Sequence, residues 1–295
     1  MNSAPPLQSQ AFPPKTALVV DADPQIEEVL ASTLDPKIWS IQHAPNNRAV
    51  LPLAEAKPFD LILTSEKTSG NEDVELLRKI RRVRPHTRLI ILADESTPAD
   101  VIASMRERAF SYFSKPFSPP SLADMIRLAA EGPCWDEGIE VLSATPAWIR
   151  LVARCELKTA DRLVQFIYEI AELPEDEKVA VATAFREMVL NAIEHGGNFD
   201  PDEYIEVSYV HARHMVMCRV KDPGKGFSLD DLRHAAVGSP PEDPIRHVAY
   251  REEQGMRPGG FGVLMAQRLV DEVIYSEQGN DVLLIKYLDP ALGAS

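Results

Sequence analysis

The feature that most restricts the fold is an alternation of short apolar runs with helical patterns, which fills the first 131 residues and then stops. Residues 17–20, 38–41, 61–63, 89–92 and 110–113 read as five strands. Pro24 opens a helical stretch reaching residue 34, and 74–83 and 118–130 also have helical spacing. Five short apolar strands with helices between them imply a parallel sheet covered on both faces, a doubly wound α/β layer. The segment Glu131-Gly-Pro-Cys-Trp-Asp-Glu-Gly138 breaks the pattern and reads as a linker.

Beyond it the order changes. Two long helical patterns, 159–171 and 175–193, come first, followed by strands at 204–210 and 215–220. A Pro/Gly-rich loop, a helix from about Gly262 and strands near Val273 and at 282–287 complete the chain. Segregated helices with mixed strands suggest an α/β sandwich, helices on one face of a sheet. Trp148 reads as a core residue beside this domain's first strand. A chain of 295 residues with 45% hydrophobic content suits two such domains, each with its own core. The expected division is a disordered Pro-rich tail over 1–15, a first domain over 16–131, a linker over 132–138 and a second domain over 139–290.

Charge and cysteine usage narrow the function. Acidic residues outnumber basic ones by 45 to 31, for a formal charge of -14. The first 132 residues carry 15 basic and 17 acidic groups, the remainder 16 and 28, so the acidity belongs to the second half. A nucleic-acid partner is not expected, because neutralising phosphates needs a Lys/Arg-rich face. Cys134, Cys155 and Cys218 stand far apart, which argues against a disulfide scaffold or a structural zinc site. No apolar run approaches a membrane span and no signal peptide is evident, so a soluble, cytoplasmic protein is expected.

Three motifs of the first half, Ala17-Leu-Val-Val-Asp-Ala-Asp-Pro24, Phe59-Asp-Leu-Ile-Leu63 and Ser114-Lys-Pro-Phe117, together resemble the receiver domain of two-component response regulators over about 16–131. The resemblance implies an acidic pair for Mg²⁺ after the first strand and a phosphoacceptor Asp after the third. It also implies a Thr/Ser after the fourth strand and a Lys after the fifth. Here Asp21 matches the first acid, but Ala22 replaces the second. Ser65 stands at the phosphoacceptor position, Ala93 at the Thr/Ser position, and Lys115 with Pro116 is retained. A neutral serine hydroxyl is a poor metal ligand and a poor nucleophile beside a carboxylate. Asp21, Ser65 and Lys115 are therefore receiver remnants, and the domain is expected to dock or dimerise rather than switch on phosphorylation.

Three segments of the second half carry an ATP reading. In Phe185-Arg-Glu-Met-Val-Leu-Asn-Ala-Ile-Glu-His-Gly-Gly197, Glu187, Asn191 and His195 are four apart and share one helix stripe. An Asn amide oxygen suits Mg²⁺, and a Glu one turn earlier suits a base near a terminal phosphate. A polar helix stripe is also what a solvated face looks like. In Val220-Lys-Asp-Pro-Gly-Lys-Gly-Phe227, Asp222 is placed to accept from the adenine amine, with Gly224 and Gly226 letting backbone pass close to a flat ring. The same segment reads equally as a common turn. Arg257-Pro-Gly-Gly-Phe-Gly262 places glycines before a helix N-terminus, where phosphates can rest. His195 is either a ligand or a cation at a helix C-terminus with Gly196 as the stop.

The three in this order resemble the N, G1 and G2 boxes of the Bergerat-fold, histidine-kinase-like ATPases over about 145–288, and within them the anti-sigma-factor serine kinases. Asn191-Ala-Ile-Glu-His195 stands in the Asn-Ala-x-x-His place. The resemblance implies an α/β sandwich that binds ATP and Mg²⁺, with Glu187 catalytic and Asn191 on the metal. Asp222, Gly224, Gly226, Gly260 and Gly262 would line the nucleotide. It further implies a kinase acting on a small anti-anti-sigma antagonist and holding a sigma factor, with room for a homodimer. The competing reading is an inactive, nucleotide-gated binding module. The lid segment, 227–258, is long and contains Arg246, Arg251 and Arg257, one of which could meet the terminal phosphate, or each could pair with neighbouring acids. A sensor histidine kinase is set aside, because 132–174 contains no His.

Overall fold

The computed structural model describes residues 14–20, 23–65, 70–131, 138–226, 253 and 261–288. The first unit runs β1 (Lys15–Val20), α1 (Pro24–Thr33), β2 (Trp39–Ala44), α2 (Asn47–Ala56), β3 (Leu61–Thr64), α3 (Gly70–Val83), β4 (Arg88–Ala93), α4 (Pro98–Arg106), β5 (Ser111–Ser114) and α5 (Pro119–Ala130). Its strands are all parallel in the order β2-β1-β3-β4-β5. Residues of β3 and β4 are buried on both faces, which is why they read as continuous apolar runs. Helix starts are written locally. Asp23 accepts from Gln25 N ahead of Pro24, and Thr97 and Asp100 form a reciprocal capping box.

The second strand lies later than the apolar run at 38–41 suggested. Ile38 is 51% exposed and Ile41 36%, because β2 is an edge strand with only Trp39 and Ala44 buried. On an edge, apolar content no longer tracks position.

The second unit begins with a hairpin that the helical patterns hid: β6 (Ile139–Thr145) and β7 (Trp148–Arg154). Then come α6 (Leu157–Ile170), α7 (Glu175–Asn191) and a π-helical turn over Ala192–Gly196. After β8 (Tyr204–Ala212) and β9 (Met215–Lys221) follow α8 (Gly262–Leu269), β10 (Glu272–Tyr275) and β11 (Asp281–Tyr287). The order is β10-β11-β9-β8-β7-β6, and every neighbouring pair is antiparallel rather than mixed.

Alternate residues Ile149, Leu151 and Ala153, with Val207, Tyr209, Cys218 and Val220, turn to one face and meet Leu163, Phe166, Phe185 and Met188 of the helices. Full burial of a side chain such as Phe185 contributes about 2–3 kcal/mol. Trp148 is 43% exposed and so is not a core residue. It alternates with buried Ile149 and points to the other face of the sheet. One apolar cluster runs through both units, joining Val101, Ile102 and Tyr112 to Leu163 and Phe166. No helix among the described residues is long and apolar enough to cross a membrane.

Candidate functional site

The end of α7, the end of β9 and the start of α8 converge. The π turn closes with Gly197 N donating to Ala192 O at 2.9 Å, one residue wider than an α-turn. It brings Gly196 flush against Asp222. A Cβ on Gly196 would lie 2.3 Å from the Asp222 carboxyl carbon, so only glycine allows this approach. Asp222 Oδ1 accepts from Gly224 N at 2.8 Å. Burial raises the Asp222 carboxyl above its ordinary range, the Gly224 bond opposes this, and the charge of Asp281 adds to the rise.

The turn beyond Asp222 is tied to the β10–β11 connection. Asp222 N donates to Asn280 O at 2.9 Å, and Asn280 Nδ2 donates to Gly224 O at 3.2 Å. Gly226 has φ +79°, and a Cβ there would overlap Gln278 O at 1.7 Å. These glycines are therefore demanded by backbone geometry as well as by any ligand.

Glu187 and Asn191 are half-buried on α7, and His195 is exposed at the end of the π turn. Glu187 lies against the first residue of α8: a Cβ on Gly262 would come within 2.6 Å of Glu187 Oε2. So Gly196, Asp222 and Gly224 meet at one end of the site, and Glu187 and Gly262 at the other. The space that side chains would need at Gly196 and Gly224 is taken up by Asp222 itself, and Asn191, half-buried on α7 between Glu187 and Gly196, carries an amide oxygen of the kind that Mg²⁺ accepts alongside phosphates. Among the described residues no group of three or more His, Cys, Asp or Glu could hold a metal by itself. Gly260, Arg246, Arg251 and Arg257 lie outside the described residues.

Sequence reasoning took Gly196 only as a helix stop. The signal available was the Gly196-Gly197 pair at the end of a polar stripe, but the approach to Asp222 comes from a strand 26 residues further on.

In the receiver-like sheet, Ser65 follows β3 and is fully buried, its hydroxyl without a hydrogen-bond partner among the described residues. Lys115 follows β5, donates to Ser65 O at 2.9 Å and pairs with Asp94 at 3.0 Å. Asp94 was not singled out from the sequence. The acid directly after Ala93 was the available signal. Asp21 and Ala22 lie outside the described residues. Cys155 and Cys218 are free and buried, and burial pushes their thiols up to about 11 and about 12, which leaves little reactive thiolate.

Known families match both units: residues 17–127 match the response regulator receiver domain, and residues 153–286 the histidine kinase-like ATPase domain. The hydrogenase transcriptional regulatory protein HoxA of Cupriavidus necator is 30% identical over 119 residues, 39% of this chain but only 24% of that protein. The chain thus spans about a quarter of that regulator. The serine-protein kinase RsbW of Oceanobacillus iheyensis is 28% identical over 138 residues, 46% of this chain and 78% of that protein. The anti-sigma F factor of Anoxybacillus flavithermus is 31% identical over 117 residues, 38% of this chain and 71% of that protein. The chain therefore joins a receiver domain to a histidine kinase-like ATPase domain, and through the second it belongs to the family of the anti-sigma-factor kinases.

Proposed function

We propose that this protein is an ATP-dependent serine/threonine kinase of the anti-sigma-factor type, which phosphorylates a small antagonist protein and sequesters a sigma factor. The supporting observation is the glycine-flanked carboxylate of Asp222 at the end of the helix that carries Glu187 and Asn191. The similarity to a serine-protein kinase and to an anti-sigma F factor supports the choice of partners.

In this reading Asp222 accepts from the adenine amine with the carboxylate oxygen that Gly224 leaves free. Gly224 and Gly226 keep side chains away from the ring, and Gly262, at the start of α8, turns its N–H to the phosphates. Asn191 would hold Mg²⁺, which when bound neutralises charge on the phosphates. Glu187 takes the proton from the serine or threonine hydroxyl of the antagonist. The excess of acidic over basic residues argues against a nucleic-acid partner, and the free, buried thiols of Cys155 and Cys218 suit a reducing cytoplasm.

One observation favours the second reading, a nucleotide-gated binding module. The contact between Glu187 and Gly262 would let that carboxylate anchor the start of α8 instead of acting as a base. Purified protein incubated with labelled ATP and candidate antagonists distinguishes the two. Label on an antagonist serine or threonine supports the kinase. ATP-dependent capture without label supports the module.

A further inference from the structure

Three side chains of α6 reach the receiver-like sheet in a row. Arg162 Nε donates to Phe110 O at 2.9 Å, and its guanidinium lies 4.5 Å from the Phe110 ring centre. Gln165 Nε2 donates to Tyr112 O at 3.0 Å. Glu169 Oε2 accepts from Ser114 N at 3.1 Å and from Ser114 Oγ at 2.6 Å, while Glu169 Oε1 accepts from Gln165 at 2.8 Å. Residues 162, 165 and 169 share one helix face, and 110, 112 and 114 are alternate residues running from just before β5 to its end. β5 is the edge of its sheet, so its outward backbone groups need partners. The α6 side chains supply them where a sixth strand would otherwise pair.

The residue after this latch is Lys115. Its backbone N donates to Ala93 O at 2.8 Å, and its ammonium joins Ser65 O, after β3, to Asp94, after β4. The Lys115 and Asp94 side chains are 19% and 28% exposed, so the pair is shielded in part from water and salt. Thus the lysine of the degenerate pocket is already satisfied by an anion belonging to the chain. On the other side, α6 packs on α7, where Arg186 pairs with Asp161 of α6 at 3.1 Å.

We propose that the Lys115–Asp94 pair is a built-in substitute for a phosphoryl group: it fixes the turn after β5 in the conformation that bonds Ser114 to Glu169, so the receiver domain stays docked on α6 without a phosphorylation signal. The domain is then a permanent brace for the helix pair α6–α7. This rests on contacts between the two domains, and holds whether or not the ATP site transfers phosphate.

Hydrogen exchange followed by mass spectrometry on the full chain tests it. In Asp94→Asn, and separately in Glu169→Ala, amides of residues 111–114 and 157–170 should exchange at least about fivefold faster, the effect of losing one partly buried polar pair. Amides of β8 and β9 should keep their rates. Lys115→Gln combined with Asp94→Asn should be no worse than either alone, because the pair acts as one unit. This cycle also decides the matter if Asp94→Asn loosens the whole molecule. Unchanged exchange in β5 and α6 in both single variants, additive losses in the double variant, or wild-type exchange there that shifts on adding acetyl phosphate with Mg²⁺ would each overturn the proposal.

Discussion

At the carboxyl ends of β3, β4 and β5 stand Ser65, Asp94 and Lys115, closed on one another by an ion pair and a backbone bond. At the end of β9 stands Asp222, with glycines at 196 and 224 kept so close that any side chain there would collide with it. The first place is where a parallel α/β sheet presents ligands, beyond the carboxyl ends of its strands. In the first, the strand ends are tied together by the chain's own charges, and a serine follows β3. In the second, the backbone closes directly on a carboxylate. A fold can keep its strands and helices while the groups at their ends change, because the elements depend on many apolar contacts and a site depends on a few atoms.

That contrast breaks most readily at Glu187. Glu187→Gln keeps the size of the side chain and removes the carboxylate that the proposed kinase uses as its base. Transfer of label from ATP to an antagonist should slow by at least ~100-fold, with ATP affinity by calorimetry nearly unchanged. A variant as fast as wild type would reassign Glu187 to the anchoring role that its contact with Gly262 already suggests.

The junction between the two regions gives the next effect. Burial pushes the Glu169 carboxyl up to about 7, against the opposing pull of the Ser114 bonds, Lys178 on α7 and Gln165. Tyr168 beside it and Tyr112 of β5 face the same carboxyl. An acid whose pKa rises on folding holds its proton more firmly in the folded state. Its contribution therefore favours folding at low pH and is lost as pH climbs from about 4.5 through about 7. Between pH 5 and 8 the wild type should lose about 2 kcal/mol that Glu169→Gln does not lose, as read from urea midpoints of the two proteins. Parallel pH profiles would remove Glu169 as the source.

At the Asp222 turn, if the proposed function holds, Asp222→Asn turns a donor toward the adenine amine and Asn191→Ala removes the proposed metal ligand. Each should weaken Mg²⁺-ATP by about 1–3 kcal/mol in calorimetry, the cost of leaving a buried polar group unmatched. Wild-type affinity in both would mean that the glycines serve the turn alone. At the closed site the expected effect is none. Acetyl phosphate with Mg²⁺ should leave no acid-labile acyl phosphate on the receiver domain, and mass spectrometry finding one would show that the domain still accepts a phosphoryl group at a residue other than Ser65.

Sequence alone determined what depends on local periodicity and on backbone exceptions. The buried runs of β3 and β4, the capped starts of α1 and α5, and the two halves of unlike order were legible because burial on both faces and Pro or Ser at a helix start leave marks within a few residues. So were Asp222, Gly224 and Gly226, since a turn of that shape admits few residue types. The hairpin β6–β7 was missed, although Ile149, Leu151 and Ala153 alternate, and Trp148 was misplaced because a large aromatic resembles core wherever it stands. Only the tertiary structure could pair Lys115 with Asp94, bring Gly196 against Asp222, or line Arg162, Gln165 and Glu169 along β5. Those contacts join residues tens of positions apart through polar atoms. No period in the sequence reports which polar group will find which once the apolar faces have closed.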